Sequence, residues 1–302
     1  MALPQSLRTL LTGLIDYAGL FPPARLEMPE AVENFAAYRA GARRWMLGRF
    51  VVPASRLDEF EGAAASRLPK TRDAEPWPIA LLGGDPVHDA ELIFAFNERH
   101  AKTAVGRAVI DTLEVKAETM DELELRVRSA PPDVTVYVEI PVARDPTDLL
   151  SAIGNLGARA KIRTGGITPD AFPATRDVAR FIRTAVDLGV PFKATAGLHH
   201  PLRGSYALTY EVGAETGTMF GYLNVFLAAL LAAGGLQMDE IELLLEEGDL
   251  ARIAFREDGI AWAGHFAPVA DIERARARVA LSFGSCSFTE PAEDLAALGF
   301  PP

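Results

Sequence analysis

Two lysines stand inside short apolar runs, each just ahead of a glycine turn. They are Lys161 in Ala160-Lys161-Ile162-Arg163-Thr164-Gly165-Gly166 and Lys193 in Phe192-Lys193-Ala194-Thr195-Ala196-Gly197-Leu198. A lysine inside a strand is costly unless it has a partner or chemistry to perform. Two of them, 32 residues apart and on what read as neighbouring strands of a parallel sheet, point to amine chemistry or anion binding at one place.

Only the free amine of a lysine attacks a carbonyl. Lowering its pKa from about 10.4 to near 7 takes about 4.6 kcal/mol. A second cation ~6 Å away would contribute about 2.8 kcal/mol at an effective dielectric of about 20. Desolvation in an apolar interior would supply the rest. Paired lysines are therefore a physical route to one nucleophilic amine. The glycines that follow, Gly165, Gly166 and Gly197, let backbone N–H groups approach an anion closely.

The elements that must position these residues alternate along the chain. Strand-like runs at 45–53, 78–83, 108–117, 134–141, 158–164 and 190–196 are separated by helix-like runs. Such alternation predicts a parallel sheet with right-handed crossovers. The pattern loosens after Gly197 into a polar loop over 199–218, an uncharged helix within 219–236, a helix over 238–247, a hairpin turning at Asp258-Gly259, a helix over 269–278 and a strand over 280–288. One doubtful strand, 251–255 or 260–263, brings the count to eight, the number that closes a barrel. The expected fold is therefore a single α/β domain, a (β/α)8 TIM-like barrel over 1–302. It divides into N-terminal helices (1–44), regular units (45–198), an enlarged segment between strands six and eight (199–268) and a last helix and strand (269–302). An open doubly wound sheet is the alternative, but no glycine-rich loop follows the first strand. The link Asp16-Tyr17-Ala18-Gly19-Leu20-Phe21-Pro22-Pro23, between two predicted N-terminal helices, reads as a plug over one barrel end; alternatively Asp16 or Tyr17 reaches the site.

Strand alternation sorts side chains onto two faces. Thr135, Tyr137 and Glu139 oppose an all-valine and isoleucine face; Lys161 with Arg163, and Lys193 with Thr195, do the same on the next two strands. Glu139, Lys161, Arg163 and Lys193 fall near strand C-terminal ends, where barrel active sites are built. Glu114, Lys116 and Arg49 join this set in a less fixed register. Cations outnumber acids among them, so an anionic substrate group is expected to balance them. The competing view is a closed ion-pair network without chemistry, costly to bury and contributing little stability.

The chain has 302 residues, 49% of them apolar, which supports a large core. A net charge of −11 disfavours a nucleic-acid reader or a protein held on an anionic membrane. A single cysteine, Cys286, allows no disulfide within the chain and fits a reducing cytoplasm. Residues 1–20 read as an amphipathic helix rather than a signal peptide, because Asp16 interrupts the apolar stretch. Residues 219–236 reach the minimum span length, but Gly221, Asn224 and Gly234-Gly235 favour a buried core helix.

The strand end Lys161-Ile162-Arg163-Thr164-Gly165, followed by Lys193-Ala194-Thr195-Ala196-Gly197, resembles class I aldolases of the deoxyribose-phosphate aldolase type. These carry a Schiff-base lysine in a Lys-x-x-Thr-Gly strand end and a second lysine in a Lys-Ala-Ser/Thr-Gly-Gly-type motif. Val138-Glu139-Ile140 and the small-residue loop Phe283-Gly284-Ser285-Cys286-Ser287 are also similar to segments of that family. The resemblance covers less than a third of the chain. Arg163 stands where the family has a small residue, His199-His200 replaces its usual continuation, and 201–279 is much longer. No aspartate matches the family's proton relay; Glu114 or Asp111 is nearest.

The resemblance implies a lyase acting through an imine on Lys161, with Lys193 tuning its pKa and Glu139 orienting or relaying protons. Arg163, Gly165, Gly166, Gly197, His199, Arg203, Gly284 and Ser285 are the candidate anion-binding residues, and the substrate would be a small carbonyl compound bearing a carboxylate or phosphate. No cofactor and no metal are called for; no nucleic acid or membrane partner is expected, and a homo-oligomer is compatible. A metal-dependent barrel, with a histidine beside Glu139 or His265, is one alternative. A binding or scaffold barrel is the other. Cys286 reads as a small buried side chain, and nothing selects among Ser205, Tyr206 and Tyr210 in the loop that might cover the site.

Overall fold

The computed structural model describes residues 3–300. The chain opens with helix α1 (Gln5–Leu11), a short strand β1 (Ile15–Tyr17) and helix α2 (Met28–Ala40). Strand–helix units follow: β2 (Leu47–Pro53) with α3 (Leu57–Ala64), β3 (Trp77–Leu82) with α4 (Pro86–His100), and β4 (Ala108–Lys116) with α5 (Met120–Ser129). Then come β5 (Thr135–Glu139) with α6 (Thr147–Asn155), β6 (Arg159–Arg163) with α7 (Thr175–Asp187), and β7 (Phe192–Thr195). The enlarged segment holds the hairpin β8 (Gly204–Ala207) and β9 (Thr216–Met219), helices α8 (Tyr222–Ala233) and α9 (Met238–Leu245), and strands β10 (Ile253–Phe255), β11 (Gly259–Trp262) and β12 (His265–Pro268). Helix α10 (Val269–Arg278), strand β13 (Ala280–Ser285) and helix α11 (Thr289–Ala297) complete the described chain.

Eight strands close into one parallel barrel in the order β1-β13-β7-β6-β5-β4-β3-β2, a (β/α)8 TIM barrel. The doubtful strand is not its eighth member. Residues 253–255 and 260–262 instead belong to an antiparallel side sheet, β10-β11-β12, tied to α1 through Ser6 and Arg256. The barrel is closed by β1, the segment expected to be a plug. It pairs with β13 on one side and β2 on the other. All three of its residues are buried, so it lacks the alternation that marks a half-exposed strand.

Local chemistry explains the helix starts. Asp85 accepts from the Val87 and His88 amides and Pro86 fills the first position of α4; Thr119 caps α5 through the Glu122 amide. Helix α8 is the buried helix expected from the uncharged run, with Tyr222 stacked on Phe283 of β13. Among the described residues no helix is long and apolar enough to cross a membrane. The polar loop after β7 is partly ordered as the β8–β9 hairpin.

Register brings the polar residues to one level. Glu139 lies opposite Lys161 across β5 and β6, and Lys161 opposite Lys193 across β6 and β7. Because side chains alternate along each strand, all three point to the same side, the barrel interior.

Candidate active site

Glu114 of β4 sits between the two lysines. Its Oε1 is 2.6 Å from Lys193 Nζ and its Oε2 is 2.9 Å from Lys161 Nζ. Lys161 Nζ also reaches Glu139 Oε2 at 3.0 Å, and Arg163 Nε donates to Glu139 Oε1 at 3.1 Å. Lys193 Nζ has a second carboxylate in Asp16 of β1, at 2.6 Å. Asp16 in turn accepts from Ser282 Oγ at 2.8 Å and from the Arg49 amide at 2.8 Å. Gly48 stands where a Cβ would run into the Asp16 carboxylate. The chain of charges is thus Asp16, Lys193, Glu114, Lys161, Glu139, Arg163, alternating in sign.

This arrangement corrects the expected charge count. The interior is not short of anions: Asp16 adds a carboxylate to Glu114 and Glu139, while Arg49 pairs with Asp111 toward the other barrel end and Lys116 is mostly exposed. Lys193 does not stand bare beside Lys161 as a like charge; Glu114 bridges them. Burial alone would push the Glu114 carboxyl up, but the Lys161 and Lys193 ammoniums outweigh it and hold it at about 2. Burial favours a neutral Lys193, but Asp16 and Glu114 outweigh it and raise its pKa above the ordinary lysine value. Glu139 follows the same logic: burial raises it, Lys161 and Arg163 bring it below the usual carboxylate range.

The two lysines differ in access. Lys193 is 1% exposed and does not line a cavity at this end. Lys161 is 3% exposed, yet it forms part of the wall of a cavity of about 240 Å³ at the C-terminal ends of the strands. Glu114, Arg163, Gly166, His199 and Gly284 share that wall, with Thr195, Cys286 and apolar Phe21, Val51 and Leu82 among its other residues. Glu139 and Arg163 also line a neighbouring cavity of about 430 Å³ with Lys116.

His199, on the loop after β7, is held by α11. Its Nδ1 lies 3.2 Å from Glu290 Oε2 and 3.9 Å from Cys286 Sγ, while Tyr210 donates to the same Glu290 oxygen at 2.8 Å. Burial would lower the His199 pKa, but Cys286 and Glu290 outweigh it and raise it to about 10. A fixed imidazolium therefore faces the cavity. His200 turns the other way: its Nδ1 meets Asp294 Oδ2 at 2.5 Å and its ring stacks on Tyr206. His265 binds Glu240 in the side sheet, remote from Glu139 in sequence and fold. Among the described residues no group of three or more His, Cys, Asp or Glu side chains is placed to hold a metal ion.

Of the residues expected at the site, Lys161, Lys193 and Glu139 converge, and Arg163, Gly166, His199 and Gly284 line the cavity. Gly165 and Gly197 lie one layer back. Gly197 adopts φ +72°, and a Cβ there would meet Phe172 and the Gly165 backbone, so this pair serves close packing of two loops. Ser285 is buried, and its Oγ accepts from the Ser287 amide. Arg203 is not brought to the cavity: its guanidinium lies over the Phe220 ring at 4.9 Å and its amide binds Asn224. Asp111, considered beside Glu114 as a relay, forms a two-pronged pair with Arg49 toward the opposite barrel end. Glu290 was not among the expected site residues; Asp16, named there only as the alternative to a plug, does reach the buried charges. Asp16 carries the same signature as the lysines, a charge inside the apolar run Leu14-Ile15-Asp16-Tyr17. Glu290 lies on α11, whose start is marked by Ser287, which accepts from the Glu290 amide.

Comparison with protein families, curated proteins and solved structures found no match to this chain.

Proposed function

We propose that the protein is a lyase that breaks or makes a carbon–carbon bond in a small carbonyl compound bearing a carboxylate or phosphate, through an imine on Lys161. The observation that carries this reading is the placement of Lys161, an almost buried amine at a cavity wall with carboxylates at 2.9 and 3.0 Å. The likeness of its strand end to class I aldolases supports the same assignment.

The steps follow from the neighbours. Lys161 gives a proton to Glu139, and its Nζ lone pair attacks the substrate carbonyl carbon. The carbonyl oxygen takes up that proton and the new nitrogen returns one of its own to the Glu139 carboxylate, giving a neutral carbinolamine. A second proton from the site lets the hydroxyl leave as water, and the protonated imine becomes the electron sink. A carboxylate then removes the proton of a β-hydroxyl, the adjacent carbon–carbon bond breaks, and its electron pair moves onto the imine. Lys193 stays an ammonium that fixes Glu114 rather than a rival nucleophile. Arg163 and the His199 imidazolium hold the anionic group. A cavity of about 240 Å³ favours a substrate of a few carbons.

Short 2-oxo acids and aldehyde phosphates, each reduced with borohydride in the presence of the protein, test this. A mass increment on the Lys161 peptide, absent in Lys161→Met, is the expected result. No adduct with any of these carbonyl compounds sinks the imine. It would leave the second reading, a non-catalytic barrel, which the alternating pairing of every ammonium in the chain of charges favours.

A further inference from the structure

A cavity of about 860 Å³ opens at the other end of the barrel, at the N-terminal ends of β2 and β3. Four arginines line it: Arg39 from the end of α2, Arg44 just beyond it, Arg49 of β2 and Arg67 after α3. Its only lining acids are Glu75 and Asp111, among the described residues. The pairing is uneven. Arg49 is fully engaged by Asp111, at 2.6 and 2.9 Å. Arg67 is paired outward with Glu33 at 2.6 Å. Arg39 meets Glu75 only at 3.5 Å, and Arg44 has no ion-pair partner among the described residues. In a chain of net charge −11, this is a local surplus of positive charge.

Two of the three tryptophans of the chain line the same cavity: Trp45, half-buried, and Trp77, 4% exposed with its ring edge-on to Phe35, so Trp45 is the one that offers a ring face. Arg8, outside the lining, covers one face of the Trp45 ring at 4.7 Å. Planar guanidiniums recognise phosphate or carboxylate oxygens through paired donors, and the open side of the Trp45 indole is a flat apolar surface. The volume is that of a pocket for a molecule larger than the Lys161 cavity admits. We propose that the N-terminal mouth of the barrel is a second binding site, for an anionic ligand with a planar ring, of the nucleotide class. It is independent of the reaction at Lys161, although Arg49 joins the two ends: its side chain lines this cavity and its amide holds Asp16, the partner of Lys193.

Titration calorimetry with ADP, pyrophosphate and adenosine, read alongside tryptophan emission, tests the site. The expected result is ADP binding that shifts the emission, is tighter than pyrophosphate or adenosine binding, and weakens as salt is added. Arg44→Ala, at an exposed position without an ion pair, should weaken it about tenfold or more, and Arg39→Ala further, with the fold checked by circular dichroism. Lys161→Met should leave it unchanged, which separates this site from the imine reading. No ADP binding at millimolar concentration, binding unaffected by Arg44→Ala and Arg39→Ala, or pyrophosphate binding as tightly as ADP would each overturn the proposal.

Discussion

Glu114→Gln removes one negative charge from between two buried ammoniums and keeps the side-chain shape. Glu114 is 2% exposed, with lysine nitrogens at 2.6 and 2.9 Å. At an effective dielectric of about 20, each contact represents about 6 kcal/mol of Coulomb attraction. Several kcal/mol of that offsets the cost of burying the carboxylate. Asp16 and Glu139 still neutralise one ammonium each in the variant. The net loss is then about 3–5 kcal/mol, the range for removing one partner of a buried ion pair. With an m-value near 3 kcal/mol per M, the urea midpoint at pH 7 falls by about 1–1.7 M. The acid limb carries a second signature. The folded-state pKa of Glu114 is depressed to about 2, so its contribution is fully present above the ordinary carboxylate value and is lost as pH falls toward 2. The gap between wild type and Glu114→Gln should therefore close between about pH 5 and pH 2. A variant within 1 kcal/mol of wild type at pH 7, or a gap that does not narrow in acid, refutes the bridging role.

His199 keeps its charge because Glu290 and Cys286 hold its pKa near 10 against the effect of burial, so its contribution to stability is complete below its ordinary value near 6.5 and is lost as pH rises through 10. Glu290→Gln should move the His199 titration toward neutral pH, read from the histidine ring resonances; an unmoved titration assigns the effect elsewhere. Gly48→Ala drives a methyl group into the Asp16 carboxylate and should cost about 1–3 kcal/mol in urea unfolding; an unchanged midpoint would show that Asp16 has room to shift.

Seven of the eight barrel strands were legible in the sequence because each is a short apolar-rich run bounded by turn residues, and β5, β6 and β7 also alternate apolar with polar side chains. The inward set of β5, β6 and β7 followed from that alternation, and its register bears this out. Strand β1 was hidden by its brevity and by burial on both faces: three residues give no period to read, and the helix before it and the prolines after it look like a connection. Without β1, Asp16 remained one alternative in a link, left out of the charge count. The side strands β10 and β11 misled in the opposite sense, since a hairpin at Asp258-Gly259 is local and says nothing of which sheet it joins. Glu290 was out of reach for a related reason. Its approach to His199 depends on how α11 folds back after β13, a tertiary fact without a sequence period.

The corrected charge count changes how a nucleophile would arise under the proposed imine reading. A bare second ammonium would lower the pKa of its neighbour at the expense of burying two like charges. The barrel instead alternates sign from Asp16 to Arg163, three carboxylates against three cations. In the proposed reaction Lys161 passes its proton to Glu139, so an ion pair becomes two neutral groups and the buried cluster keeps the same total charge. No net charge then has to be created in a low-dielectric interior, which is the costly step in making an isolated buried amine reactive. Lys193 takes no part in that transfer, being sealed beneath Glu114 with two carboxylates at 2.6 Å. Its place in the network is to keep Glu114 ionised and pointed at Lys161, so that the one amine facing the cavity has a fixed carboxylate on each side.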